Sequence, residues 1–281
     1  MRRNAFGPPT LIASDVDGTL IDDDNRVQRL TATAIRRAGE VGVPLVLATG
    51  RPPRWLAEVA DQLDTSPYAV CANGAILYDI SADRVLTSTT LEVDVLAQLA
   101  ELASHVLPGC GLAAERVGAS AHDTATPPFV AVAGYQHAWL NPDHLEVSNA
   151  DLVSAPAVKL LIRCPGMRSG DMTFAMREAL TINGFARSAE ITYSTDNGLI
   201  ELAPPGVSKA TGLSLLAEVA VLPADSVIAF GDMPNDVDML RWAGRGVAMA
   251  NAHPLARAAA DEITTGNNND GVGRVLWRWF G

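Results

Sequence analysis

Leu11-Ile12-Ala13-Ser14-Asp15-Val16-Asp17-Gly18-Thr19-Leu20 is the stretch on which the reading of the fold turns. It opens on a short apolar run without alternation, the pattern of a strand covered on both faces, as in a parallel sheet. The run stops abruptly at Asp15 and Asp17, two carboxylates separated by one residue and followed by glycine. At a strand end this spacing brings the carboxylates near each other. The glycine opens a turn whose backbone N–H groups can form an anion-binding nest. Taken alone, the pair also reads as two solvated turn aspartates, because Asp favours turns. A calcium loop does not fit, since Thr19 sits where the third oxygen ligand belongs and Gly18 is misplaced.

Outward from this stretch the same pattern recurs. Val43–Ala48 runs into Thr49-Gly50-Arg51, and Tyr68–Ala72 into Asn73-Gly74-Ala75. Ser226–Phe230 runs into Gly231-Asp232, and Gly246–Met249 into Ala250-Asn251-Ala252. Helical patterns lie between, over Thr31–Val41 and Ala210–Val221. Alternating strands and helices predict a doubly wound, mostly parallel α/β sheet. Ligands of such sheets sit beyond the carboxyl ends of the strands, where each of these polar clusters falls.

The middle of the chain differs. Leu91–Val106 and Met172–Leu180 read as helices, while Phe129–Ala133, Ala157–Arg163 and Glu190–Ser194 read as strands. Mixed elements without βα alternation predict an α+β insert. The expected division is a core over 1–84, an inserted α+β domain over 85–195, and the rest of the core over 196–281. The core sheet is expected to resume at Gly198.

Several residues at the predicted strand ends carry chemistry. Thr49 reads as a helix N-cap with Pro52 in the first turn, or as a hydroxyl that holds a phosphate oxygen beside the N–H of Gly50. Ser208-Lys209 opens a helix, and a lysine at that positive end favours a fixed anionic partner. Gly231-Asp232-Met233-Pro234-Asn235-Asp236 reads as helix initiation, but it also brings Asp232 to the same sheet edge as Asp15 and Asp17. Three converging carboxylates repel unless a cation intervenes. Mg²⁺ is the natural choice, because it takes hard oxygen ligands and shares its shell with phosphate and water.

Composition narrows the class. The chain has 281 residues, 48% hydrophobic and 19% charged, with net charge −11. That excludes a disordered or fibrous chain, and the acidity argues against a nucleic-acid partner. Cys71, Cys110 and Cys164 form neither a disulfide framework nor a metal-binding pair. No apolar run approaches the ~20 residues of a membrane span, and no signal peptide is read at the N-terminus. The expectation is a soluble, cytoplasmic protein with no membrane partner. The five histidines (105, 122, 137, 144 and 253) show no metal-ligand spacing. Lys159 reads as a substrate contact or as a solvated strand residue. Trp277, Arg278, Trp279 and Phe280 read as a terminal helix packed on the sheet.

This order of motifs resembles the haloacid dehalogenase superfamily of phosphotransferases. Asp15-Val16-Asp17-Gly18-Thr19-Leu20 looks like its first motif, Thr49 its second, Lys209 its third, and Asp232 with Asp236 its fourth. Asn73-Gly74-Ala75, Gly198-Leu199-Ile200-Glu201, Gly206-Val207-Ser208-Lys209, Val247–Ala252 and Asn269-Asp270-Gly271-Val272 are similar to the Cof-type branch, whose α+β cap follows the third strand. Pro234 departs from the small or flexible residue more usual there. The resemblance implies a phosphatase that forms an aspartyl-phosphate on Asp15, with Asp17 as general acid and then base. It implies Mg²⁺ on the Asp15 and Asp232 side chains and the Asp17 carbonyl. Gly18, Thr49, Gly50, Lys209 and Asn235 would hold the phosphate, with Asp236 behind them. The implied substrate is a small phosphorylated metabolite, a sugar phosphate being one candidate class. A phosphomutase, a phospho-acceptor module and a silent phosphate-binding protein are the alternatives.

Overall fold

The computed structural model describes residues 7–63, 68–123, 125–138 and 144–281. These separate into two compact units. Residues up to Leu86 join Ser208–Gly281 in the first, and Thr87–Val207 form the second.

In chain order the first unit starts with β1 (Leu11–Ser14), β2 (Leu45–Ala48), β3 (Tyr68–Cys71) and β4 (Ile76–Asp79), and β5 (Arg84–Ser88) runs across the boundary at Leu86. The intervening segment supplies β6 (Gly111–Glu115), β7 (Phe129–Val132), β8 (Leu145–Val147), β9 (Lys159–Arg163), β10 (Glu190–Thr192) and β11 (Leu199–Ala203). The chain then returns with β12 (Val227–Gly231), β13 (Arg245–Ala248) and β14 (Glu262–Ile263).

The first sheet has the order β14-β13-β12-β1-β2-β3-β4-β5. From β14 through to β3 the neighbours are parallel, and β4 is added antiparallel to β3. Every residue of β1, β2 and β12 is buried, which is why these runs show no polar alternation. The strand order reverses beside β1, with β2 on one side and β12 on the other. This is the switch point at which open α/β sheets bind ligands. Ser14 is in register with both Phe230 and Leu47, so the three strands end nearly flush. Their next residues, Asp15, Asp232 and Thr49, therefore emerge along one edge.

Helices cover the sheet for readable reasons. The helix Arg29–Glu40 buries Thr31, Ala34, Ile35 and Ala38, one face at helical spacing. It packs against the terminal helix Gly271–Phe280. Asp270 joins the two, accepting from the Thr31 N–H and hydroxyl at 3.0 Å each. None of the described helices is long and apolar enough to cross a membrane.

The second sheet has the order β10-β11-β9-β6-β7-β8 and is antiparallel except for β7 with β8. The helices Val93–Val106 and Ser169–Ile182 pack on it. Here one expectation is corrected. The run from Gly198 does not resume the core: β11 pairs antiparallel with β9 and β10, and the first unit takes up the chain again at Ser208. β11 is buried along its whole length, so it carries the same unbroken apolar signal as a core strand.

Candidate active site

The turn after β1 is built around Gly18. The Ile21 N–H closes it onto the Val16 carbonyl at 3.1 Å, and Gly18 lies at φ +71°. A Cβ on Gly18 would stand 2.5 Å from Oδ2 of Asp232. Glycine is thus required twice, for the backbone angle and for the close approach. Thr19 completes the join by donating its hydroxyl to Asp232 Oδ1 at 3.0 Å. The Asp15–Thr19 turn and the end of β12 are therefore one assembly.

Lys209 is the first residue of the helix Lys209–Val219, which Ser208 caps by accepting from the Thr211 N–H. The helix start is pressed against Gly74 (φ +109°), where a Cβ would fall 2.0 Å from the Ser208 carbonyl oxygen. From there the Lys209 side chain runs fully buried to Asp15 Oδ1 at 2.5 Å and Asp236 Oδ1 at 2.6 Å. The other oxygen of Asp236 accepts the N–H groups of Asp232 and Met233 at 2.9 Å each. Both Asp236 oxygens are thus engaged by protein donors, and its work is to hold Lys209 and the chain at Asp232.

Asp15, Asp232 and Asp236 each offer an oxygen within 4.8 Å of the others, and all three are buried. Burial pushes the Asp15 carboxyl well above its ordinary value; Lys209 opposes this, while Asp236, Asp232 and Asp17 add to it. Asp232 is pushed up to about 7, by burial first and then by Asp236, against the Thr19 hydrogen bond and Lys209. Burial alone would lower Lys209, but Asp15 and Asp236 outweigh it and raise its affinity for its proton. Three crowded carboxylates around one ammonium leave an excess of negative charge in a water-poor site. The donors are hard oxygens, and the buried Asn235 Oδ1 has no hydrogen-bond partner. A Mg²⁺ ion with its bound waters fits that set, with the Asp15 and Asp232 carboxylates available to hold it.

The remaining predicted residues line the same edge. Thr49 is buried, and its Oγ1 accepts the Arg51 N–H at 3.0 Å, which leaves the hydroxyl proton to donate. Gly50 lies against Asn73, where a Cβ would meet Asn73 Oδ1 at 3.1 Å. Asn235 donates to that same Asn73 oxygen at 3.0 Å. Asp17 is half exposed and is gripped by Arg51 through two hydrogen bonds, 2.6 and 2.9 Å.

Sequence reasoning named no role for Arg51, Thr19, Asn73 or Asn251, although each stands in a quoted motif. What it lacked was a partner, which only the folded chain supplies. Lys159, an open question in the sequence, is buried and paired with Glu201 at 2.5 Å in the second sheet. Two of the histidines, His137 and His144, meet through their ring nitrogens at 2.7 Å.

Comparison with known proteins gives a consistent result. Residues 12–276 match the family model for haloacid dehalogenase-like hydrolases. The 5-amino-6-(5-phospho-D-ribitylamino)uracil phosphatase YitU of Bacillus subtilis is 29% identical, covering 97% of this chain and 98% of its own. The pyridoxal phosphate phosphatase YbhA of Escherichia coli is 26% identical over 95% of this chain and 97% of its own. Among solved structures, the subclass IIB sugar phosphatase BT4131 superposes with a TM-score of 0.77 at 20% identity, covering 96% of this chain and 98% of that one. At that identity the likeness bears on the fold.

Proposed function

The chain belongs to the haloacid dehalogenase-like hydrolase family and is a phosphatase of small phosphorylated metabolites; from that premise we propose a Mg²⁺-dependent hydrolysis of a small phosphomonoester, a sugar phosphate being one candidate class, through an aspartyl-phosphate on Asp15. The observation that carries the reading is the buried Lys209 bridging Asp15 and Asp236 at the switch point of the sheet.

The contacts support the following roles. Lys209 engages Asp15 Oδ1, and the Asp15 carboxylate is the group that attacks phosphorus. The P–O bond to the leaving group breaks as the new P–O bond forms, and the departing alkoxide takes a proton from Asp17. Water then attacks the same phosphorus and gives its proton to Asp17, releasing phosphate and restoring Asp15. Asp17 must loosen one arm of its Arg51 fork to carry that proton, because both of its oxygens accept from Arg51 at rest. Thr49, the N–H groups near Gly18 and Gly50, and Lys209 would stabilise the phosphoryl oxygens as charge shifts. The Asp15 and Asp232 side chains and the Asp17 carbonyl would hold Mg²⁺, which would supply positive charge to offset the carboxylates and the phosphate.

The substrate class draws on relatives whose names give a phosphorylated ribitylamino group and pyridoxal phosphate, both small phosphomonoesters. The three cysteines are free thiols, which suits a reducing compartment such as the cytoplasm. The test is a panel of sugar phosphates, phosphorylated cofactors and nucleotides, assayed for inorganic phosphate with Mg²⁺ and with a chelator. Release of inorganic phosphate from one or more of these monoesters that needs Mg²⁺ is expected. Turnover unaffected by chelation, or a phosphoryl group retained on a rearranged product, would overturn the proposal.

A further inference from the structure

The turn that carries Asp17 and Gly18 is held by residues far along the chain. Asn251, in the loop after β13, donates from Nδ2 to the Gly18 carbonyl at 2.8 Å. Its Oδ1 accepts the backbone N–H of Asn267 at 3.1 Å. Asn267 donates in turn to the Ile21 carbonyl at 3.1 Å and to Asp23 Oδ1 at 3.2 Å. Asn268 adds its amide to Asp23 Oδ2 at 2.8 Å. Two side-chain amides in series thus tie down the turn at both Gly18 and Ile21.

The geometry gives this tie a consequence. The Gly18–Thr19 peptide is trans and planar, so its C=O and N–H point in opposite directions. With the carbonyl fixed on Asn251, the Thr19 N–H faces away from Asn251. The loop that carries Asn251 also reaches β12. His253 donates its N–H to the Asp232 carbonyl at 2.7 Å, and Met249 to the Gly231 carbonyl at 3.2 Å. One segment, 249–253, therefore holds the Gly18 turn and the Asp232 strand end at once, and sets the spacing between them.

We propose that Asn251, backed by Asn267, is a positioning residue for phosphoryl transfer that fixes the Gly18–Thr19 peptide plane, and with it the N–H groups offered to the phosphate. The proposal rests on the reading of this turn as the phosphate cradle. Asn251 touches a backbone carbonyl and a backbone N–H, so its action on the reaction is indirect.

Two variants separate positioning from bulk stability. Asn251→Ala removes both contacts. Asn251→Asp keeps the shape and the acceptor for Asn267 but loses the donor to Gly18. Each is compared with wild type in Mg²⁺-containing buffer for deuterium uptake by residues 15–21, for inhibition by inorganic phosphate, and for kcat and KM. Both variants are expected to take up deuterium faster in that segment and to melt within a few degrees of wild type. Losing one such hydrogen bond should weaken phosphate inhibition and lower kcat/KM by about tenfold. Unchanged uptake, or phosphate inhibition within about twofold of wild type in both variants, overturns the proposal. If uptake rises while the wild-type chain neither binds nor releases phosphate, the clamp stands and the phosphatase reading falls.

Discussion

Arg51 holds Asp17 with both arms of its guanidinium, Nη2 lying 2.6 Å from Oδ1 and Nε 2.9 Å from Oδ2. The arginine is itself anchored, by its N–H on Thr49 Oγ1 and by Nη1 on the Trp55 carbonyl at 3.2 Å. Asp17 is therefore aimed from the end of β2, a different strand from the one that carries it.

That grip predicts a leaving-group signature. Arg51→Ala should lower kcat about tenfold for an alkyl phosphate, whose alkoxide needs a well-placed acid. The loss should be much smaller for p-nitrophenyl phosphate, whose leaving group departs without one. Arg51→Lys should recover little, since an ammonium cannot form the fork. Steady-state kinetics with the two substrates provide the check, and equal losses on both would count against the assignment.

Asp15 and Lys209 should separate chemistry from stability. Asp15→Asn is expected to remove turnover, by more than about a thousandfold, as expected when a covalent nucleophile is lost. The protein should remain folded, because burial already disfavours the Asp15 charge. Lys209→Met should abolish activity and also destabilise the fold, by roughly 3–5 kcal/mol, because it strands two buried carboxylates. Phosphate release and urea unfolding measured on both variants decide the matter.

The acidic cluster makes the metal-free protein sensitive to pH in a definite direction. Asp232 rises from 3.8 to about 7 on folding, so the folded state binds its proton more tightly than the unfolded chain. That contribution to stability is complete below pH 3.8 and is lost as pH climbs through about 7. In chelator, the urea midpoint should therefore be lower at pH 8 than at pH 5. Added Mg²⁺ should restore more stability at pH 8, where the carboxylates are ionised and free to bind it.

Two glycines with similar backbone angles should respond differently to the same change. Gly18 at φ +71° would set a Cβ 2.5 Å from Asp232, while Gly42 at φ +81° has nothing within 4 Å. Gly42→Ala should cost about 1 kcal/mol in unfolding free energy and leave activity intact. Gly18→Ala should add loss of Mg²⁺ affinity and of turnover, because the carboxylate must move. Paired melting curves and Mg²⁺ titrations would show the contrast.

The sheet edge was legible in the sequence because strands buried on both faces leave an unmistakable apolar run, and the residue that ends each run is polar. Asp15, Thr49 and Asp232 stand at the ends of such runs; each alone also reads as turn or cap chemistry, and it is their order along the chain that singles them out. Lys209 follows from its odd place at the positive end of a helix. Arg51 and Asn251 could not be read in the same way. The partner of Asn251 lies 233 residues away, and no local periodicity records such a contact. β6 was missed because Gly-Leu-Ala-Ala-Glu carries little strand propensity, although it is the strand between β7 and β9. β11 misled in the opposite sense, since its complete burial imitates a core strand while its pairing belongs to the insert.

Lys159 and Lys209 are the chain's only lysines, and each is shut away with a carboxylate partner, one in each unit. An amine-directed label therefore finds neither side chain while the fold is closed, and every exposed side-chain cation is an arginine. Labelling of Lys209 would record openings of the catalytic sheet, and labelling of Lys159 those of the inserted one. The protein carries two built-in reporters, from which the breathing of its halves can be timed separately by mass spectrometry.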